Sequence, residues 1–294
     1  MLTLRAPAKI NLVLEVLGKR DDGYHEIRSI MQTVSLFDVL TFEDADDLSL
    51  TCSVPTMRAA DNLVLKAAHM LRETVGCRKG AYIKLEKQIP WGSGLGGGSS
   101  DAAATLLGLN TLWSLRLTSE QLAKISVDIG SDVPFFIYGG TCLVEGKGER
   151  ISLLPDIPPV WFVLLKPGFP GQVDKTKRLY SMLRPAHYTR GGSVNVVKEF
   201  IEKGAQIRHG LLYNAFDKVA FEAFPESDNY WKAFNTAGAL EIHLAGSGPV
   251  IFTMVDSEVE ARAIQKKLAD YSIEAYAVSS IKRAEIGNQR SWAI

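Results

Sequence analysis

Residues 90–104 read Pro-Trp-Gly-Ser-Gly-Leu-Gly-Gly-Gly-Ser-Ser-Asp-Ala-Ala-Ala, a glycine-dense stretch running straight into a helix-forming one. Glycine allows backbone angles and close approaches that a Cβ forbids. A helix beginning at Ser99 and Ser100 would add unpaired N–H groups and the positive end of its dipole. Together they predict a phosphate cradle built from Pro90, Gly92, Ser93, Gly94, Leu95, Gly96, Gly97, Gly98, Ser99 and Ser100. The wording excludes an ordinary P-loop: Gly92 and Gly97 have the Walker spacing, but Gly98 stands where that motif needs lysine. Gly92, Gly94 and Gly97 also satisfy Gly-x-Gly-x-x-Gly after the strand-like run Ala81–Ile89, which leaves a dinucleotide-binding reading open. That reading wants a second strand ending in a ribose-binding acid about 20 residues on. Residues 101–113 instead stay helical in pattern, with Leu106, Leu107, Leu109 and Leu112 as the apolar positions. A plain surface loop is the remaining alternative, and so many glycines make it entropically costly.

At 294 residues the chain has room for one large or two ordinary domains. Lys+Arg and Asp+Glu balance at 33 each, so no global field favours nucleic acid or an acidic membrane, and any basic site must be local. Cys52, Cys77 and Cys142 are widely spaced and outside any Cys-x-x-Cys pattern, which argues against a disulfide framework or a structural zinc site and fits a reducing cytoplasm. The opening Met-Leu-Thr-Leu-Arg-Ala-Pro lacks the apolar core of a signal peptide, and no apolar run reaches the roughly 18 residues of a membrane span. The expectation is a cytoplasmic protein, monomeric or weakly dimeric, with neither nucleic acid nor membrane as partner.

The first forty residues read as strands. Ile10, Leu12, Leu14 and Val16 alternate with Lys9, Asn11, Val13 and Glu15, the period of a half-buried sheet, and Asp22-Gly23 marks a turn. Residues 61–76 read as a helix, and Thr118-x-x-Gln121 as a capping box opening another. Phe135–Tyr138 and Thr141–Val144 suggest strands about a Gly139-Gly140 turn. The proline cluster Pro155-Asp-Ile-Pro158-Pro159 is the best candidate boundary, dividing the chain into 1–155 and 156–294. Beyond it, Val160–Lys166 reads as a buried strand, 175–184, 194–203, 214–224 and 257–269 as helices, and Leu240–Leu244 with Val250–Val255 as strands joined by Ala245-Gly246-Ser247-Gly248-Pro249. The mixture predicts an α+β protein.

Pro7-Ala8-Lys9-Ile10-Asn11-Leu12, the glycine loop, and Gly246-Ser247-Gly248 resemble, in order and wording, the three motifs of the GHMP kinases. Asp22-Gly23-Tyr24-His25-Glu26 and Gly130-Ser131-Asp132-Val133-Pro134-Phe135 narrow the resemblance to those members that phosphorylate a cytidine-diphosphate-linked methylerythritol in the non-mevalonate isoprenoid pathway. The likeness spans nearly the whole chain and is looser in its C-terminal half. It implies a two-domain fold, ribosomal-S5-domain-2-like then ferredoxin-like, with ATP and a small-molecule acceptor meeting between them. Magnesium is expected with the nucleotide, with no protein ligand dedicated to it.

Phosphoryl transfer is mostly positioning plus charge stabilisation, so donors must hug the phosphates while some group accepts the hydroxyl proton. The resemblance makes Asp132 that acceptor and Lys9 its neighbour beside the transferred group; Asn11, on the Lys9 face, can position a hydroxyl. A turn cap for Asp132 and a solvated edge charge for Lys9 are the ordinary structural uses. Tyr24 and His25 fall where the family binds cytosine, the tyrosine by stacking and the histidine at the hydrogen-bonding edge. Thr176 and Tyr180 match a Ser-Thr-x-x-x-aromatic segment that supplies the opposing ring, with Lys175 in place of the serine and Asp174 in place of a valine. Gly246, Ser247 and Gly248 match a motif normally preceded by serine, where this chain has Ala245. They also suit a simple hairpin turn. A nonenzymatic RNA-binding module, which an S5-like fold would permit, is disfavoured by the balanced charge, and homoserine or mevalonate kinases remain the rivals within the superfamily.

Overall fold

A computed structural model describes residues 1–54, 62–169 and 175–285. Its organising element is β1 (Leu2–Lys19), paired antiparallel along its length with β2 (His25–Ala45). The far end of β2 takes β4 (Gly80–Glu86), which carries β3 (Leu48–Cys52) in parallel; the near end takes β5 (Thr141–Gly146), which pairs with β6 (Arg150–Leu153). On one side lie α1 (Leu63–Thr74), α2 (Gly97–Leu112), α3 (Ser119–Ser126) and α4 (Val133–Tyr138), sharing a core with Leu4, Leu40, Phe42 and Ile83. Asn62 caps α1 through its side chain, and the Thr118/Gln121 capping box opens α3 as its spacing predicts.

The second sheet holds β7 (Trp161–Lys166), β9 (His243–Leu244), β10 (Ile251–Val255) and β11 (Glu274–Ser279) in the order β11-β7-β10-β9, all antiparallel. Numbered within this unit the order is four-one-three-two, the ferredoxin-like arrangement. Its helices are α5 (Lys175–Met182), α6 (Gly192–Glu202), α7 (Ala220–Ala223), α8 (Asp228–Ala237) and α9 (Glu258–Asp270). The two sheets part around the proline cluster, but the later half reaches back. β8 (Tyr213–Asn214) pairs in parallel with β1, and α6 packs on β1 and β2. Ala8, Ile10 and Leu12 are thus buried in one core with Val194, Val197, Phe162 and Phe252.

That return corrects one expectation. β1 is not half-buried: Lys9, Asn11 and Glu15 are as enclosed as the aliphatic row, because a second layer covers the face that alternation assigns to solvent. Glu15 is matched inside by the backbone N–H of Val194 at 2.9 Å. The run Phe135–Tyr138 is also corrected, from strand to the helix α4. Pro134 occupies its first turn, where a missing N–H costs nothing, and Val133 to Ile137 are buried on every side, so no two-residue alternation exists to detect. α2 begins at Gly97, two residues before the expected start. Leu240–Leu244 shortens to the two residues of β9, and the 214–224 run divides into a 3₁₀ turn at Ala215–Val219 and the single turn α7. α8 has no counterpart in the sequence expectations, although Tyr230, Trp231, Phe234 and Ala237 recur at helical spacing on the face that packs into the second core. No helix of the described residues is long and apolar enough to cross a membrane.

Candidate active site

A cavity of about 940 Å³ lies where the two sheets meet. Lys9 and Asn11 enter from β1, Tyr24 and His25 from the β1–β2 turn, the glycine loop from one side, Asp132 from the turn before α4, and Thr176, Tyr180, Gly246 and Ser247 from the second half of the chain. Three expected residues do not line it. Leu95 is wholly buried and anchors the loop in the core, Ser100 is turned into the protein, and Gly248 makes room for Leu244, whose Cδ2 would stand 2.6 Å from a Cβ there.

Lys9 is the centre of a chain of buried donors and acceptors. Its Nζ donates to Asn11 Oδ1 at 2.7 Å, Asn11 Nδ2 donates to Ser29 Oγ at 2.7 Å, and Ser29 Oγ donates to the Val13 carbonyl at 2.6 Å. Asn11 is therefore a positioner of Lys9 as well as a cavity wall. Asp132 Oδ2 stands 3.7 Å from the same Nζ, with the lysine nearly buried and the carboxylate one-third exposed. Burial pulls the Lys9 ammonium below its ordinary pKa, and Asp132 works against that pull. Asp132 occupies the cap position of α4 yet makes no capping bond; its carboxylate faces Lys9 instead. A buried cation and a solvent-reachable carboxylate so placed can hold a hydroxyl between them and leave one carboxylate oxygen to take a proton.

The glycine loop is tied at both ends of this pair. The backbone N–H of Lys9 donates to the Leu95 carbonyl at 2.9 Å, and Val250 N–H donates to the Ser93 carbonyl at 3.2 Å, which joins the loop to the β9–β10 hairpin. Gly94, at φ +88°, lies against that hairpin so closely that a Cβ would overlap the Ala245 carbonyl oxygen. Glycine is thus demanded there by the protein's own backbone as much as by any ligand. Gly246, at φ +58°, does the same on the other side: its missing Cβ would sit 2.7 Å from Lys9 Nζ. Asn214 Nδ2 holds the turn by donating to the Leu244 and Gly246 carbonyls, and Ser247 Oγ meets Thr176 Oγ1 at 2.8 Å. Ala245 is fully buried in the core between the sheets, where its methyl group needs no hydrogen-bond partner. At the head of α2, Gly96 provides no side-chain cap, so the amides of Gly97, Gly98 and Ser99 face the cavity with the helix dipole behind them.

The two aromatic residues expected to face each other do not do so here. Tyr180 stacks on His25, with ring centroids 4.8 Å apart and planes 18° from parallel, and Tyr188 meets His25 edge-on. Tyr24 is more than half exposed, with the Lys147 ammonium 4.8 Å over its ring. Partial burial and the nearby Lys19 lower the His25 pKa, so its imidazole favours the neutral form that can both donate and accept. Asp174 lies outside the described residues.

Sequence reasoning gave no site role to five further lysines that line the cavity. Lys87 is enclosed between Asp38 and Asp101, donating to Asp101 Oδ2 at 2.7 Å and more closely to Asp38. Asp38 also accepts from the Gln88 and Ile89 amides, so the triad clamps the strand leading into the glycine loop. Burial pushes the Asp101 carboxyl up to about 8 despite the pull of Lys87. Lys19, Lys147, Lys175 and Lys177 are the others. A lysine next to a turn carries no local signature of burial, and only the Lys175 departure from the family serine marked one of them.

The descriptions of two family models match this chain: GHMP kinases N terminal domain over residues 62–140, and GHMP kinases C terminal over residues 197–273. A 4-diphosphocytidyl-2-C-methyl-D-erythritol kinase of Dehalococcoides mccartyi is 45% identical over 281 residues, 96% of this chain and 99% of that protein. A kinase of the same name from Symbiobacterium thermophilum is 38% identical, covering 95% of this chain and 100% of its own length. Among solved structures, a 4-(cytidine 5'-diphospho)-2C-methyl-D-erythritol kinase superposes with a TM-score of 0.80 at 33% identity, over 95% of this chain and 99% of the other. A homoserine kinase from Cytophaga hutchinsonii shares the fold, with a TM-score of 0.73 at 20% identity over 96% and 94% of the two chains.

Proposed function

This chain belongs to the GHMP kinases, and on that footing we propose that it transfers the γ-phosphoryl group of ATP to the 2-hydroxyl of 4-diphosphocytidyl-2-C-methyl-D-erythritol. The observation that carries the reading is the Lys9–Asp132 pair held 3.7 Å apart at the foot of an uncapped glycine-led helix, inside a cavity that also holds His25 and Tyr180. The relatives named for this activity supply the acceptor.

In the reaction the amides of Gly97, Gly98 and Ser99 cradle the ATP phosphates, adding fixed dipoles where negative charge moves. Lys9 balances charge on the transferred group from a position that Asn11 and Ser29 hold still. Asp132 orients the acceptor hydroxyl and receives its proton at a carboxylate oxygen as the new O–P bond forms and the bond to ADP breaks. Because the carboxylate sits beside an ammonium, alignment and charge contribute more than basicity. His25, Tyr24 and Tyr180 take the cytosine; its entry requires Tyr180 and His25 to part, since rings 4.8 Å apart leave no slot for a base. Stacking on an aromatic face is worth about 1–3 kcal/mol, which fixes the nucleotide end far from the reacting hydroxyl. Magnesium bound with ATP would screen its phosphates; the Ser99 hydroxyl at the head of α2 lines the cavity and would stand near it, and the described residues hold no cluster of carboxylates for a metal. Residues 1–155 would supply the cradle and the catalytic pair, and 156–294 the opposing wall.

The test is ADP release from Mg-ATP with the cytidine-linked acceptor, beside mevalonate and homoserine. Turnover with the first alone is expected. Turnover with a rival alone would keep the phosphoryl chemistry and overturn the acceptor.

A further inference from the structure

Lys175 is the first residue of α5, and its side chain is 92% buried in the wall of the cavity, since only 8% of it is exposed. Its Nζ has no hydrogen-bond partner, and no carboxylate lies within ion-pair distance of it among the described residues. The other enclosed lysines of the same cavity are each answered by an acid: Lys9 by Asp132, and Lys87 by Asp38 and Asp101. An ammonium taken out of water without an anion is among the most costly arrangements a protein can hold. Lys9 adds repulsion from close by, and with burial it lowers the Lys175 pKa to about 7. Nothing among the described residues offsets that cost, whereas a polyphosphate in this cavity would.

We propose that Lys175 is a phosphate-binding residue of this active site, without an anion among the described residues so that phosphate oxygens of the bound reactants become its partners. The inference rests on the phosphoryl-transfer reading above. Two sources offer the same chemistry: the diphosphate of the acceptor and the transferred phosphoryl of ATP. The geometry favours the acceptor, because Lys175 shares α5 with Thr176 and with Tyr180, which stacks on His25. Binding there also draws a proton onto the amine from solution near neutral pH, since a phosphate dianion stabilises the charged form. The other titratable groups facing the cavity from the packed elements are Lys9, Lys19, Asp22, Tyr24, His25, Lys87, Asp132, Lys147, Lys177 and Tyr180, and all of them remain when Lys175 alone is replaced.

The experiment uses the full chain as wild type, Lys175→Met and Lys175→Arg. Wild-type turnover with the cytidine-linked acceptor is measured first, because silence there fails the acceptor reading and not this one. CDP and a non-hydrolysable ATP analogue are then titrated separately by calorimetry at pH 7 in two buffers of different ionisation enthalpy, which counts protons taken up. We expect Lys175→Met to weaken CDP at least about tenfold, leave the ATP analogue nearly unchanged, and abolish the proton uptake seen with wild type. Lys175→Arg should recover part of the affinity with no proton uptake, because arginine is always charged. Weakened binding of the ATP analogue instead of CDP would move the contact to the transferred phosphoryl. In kinetics KM for the affected substrate should rise more than kcat falls, and Lys175→Met should melt no lower than wild type, having lost an unpaired buried charge. Unchanged affinities for both nucleotides with unchanged proton uptake would overturn the proposal. Should Lys175→Met not fold, wild-type proton uptake and the Lys175→Arg titrations decide: no uptake by wild type and identical behaviour of the arginine variant would equally overturn it.

Discussion

Gly94→Ala isolates the contact that joins the two halves of the active site. At φ +88° an alanine pays roughly 1–2 kcal/mol for a left-handed backbone. Its methyl group would overlap the Ala245 carbonyl oxygen and stand 2.8 Å from the Gly248 nitrogen, both backbone atoms that cannot swing aside. That carbonyl accepts the Gly248 N–H at 2.9 Å, and the adjoining Val250 N–H to Ser93 carbonyl bond is 3.2 Å, so relief of the overlap displaces these turn bonds at about 1 kcal/mol each. The sum is a destabilisation of about 3–4 kcal/mol. For a chain of this size that lowers Tm by roughly 5–6 °C. Gly98→Ala is the internal control: its φ is not in the left-handed region, the nearest atom to its Cβ is Leu63 Cδ1 at 3.6 Å, and it sits in the first turn of α2. Alanine there should be neutral or stabilise by up to about 1 kcal/mol. The readout is melting of the ligand-free protein by calorimetry, so that any effect of either residue on ATP is kept apart. Equal melting temperatures for the two variants would refute the claim that Gly94 is required by the hairpin.

Asp132→Asn should leave binding of ATP and of the acceptor largely intact while lowering kcat at least about a hundredfold; an unchanged kcat would remove the carboxylate from proton transfer. Asp101 sets a pH dependence of stability. Its carboxyl ionises near 4 in the unfolded chain and, through burial, at about 8 in the folded one, so the folded protein holds the extra proton between those values. Stability therefore falls as pH rises through that window. Asp101→Asn keeps the shape without the titration and should flatten the fall, measured as urea midpoints from about pH 5 to 8; a slope matching wild type would refute the assignment.

The activity turns on how the fold resolves charge. Lys87 with Asp38 and Asp101 forms a closed unit that stiffens the approach to the glycine loop, while buried Lys9 is loosely matched to a one-third exposed Asp132. In the proposed reaction the tight triad serves structure and the loose pair chemistry, since a catalytic carboxylate fully committed to a lysine could not also hold a hydroxyl.

Features encoded over a few neighbouring residues were legible in the sequence alone. The glycine loop feeding α2, the capping box of α3, the Asp22-Gly23 turn and the β9–β10 hairpin each depend on backbone angles, dipoles and hydrogen bonds within a short stretch. The motif residues converge on one cavity with the exceptions of Leu95, Ser100 and Gly248, whose glycine, serine or leucine character serves packing rather than access. What tertiary structure decided is what lies against each of them. No periodicity in β1 reveals that α6 returns to cover its second face, that Asp38 and Asp101 close on Lys87, that His25 rests on Tyr180, or that Lys175 is buried with no anion among the described residues. Dihedral preference acts between neighbours in the chain, whereas burial and charge pairing act between neighbours in space, and only the completed fold says which those are.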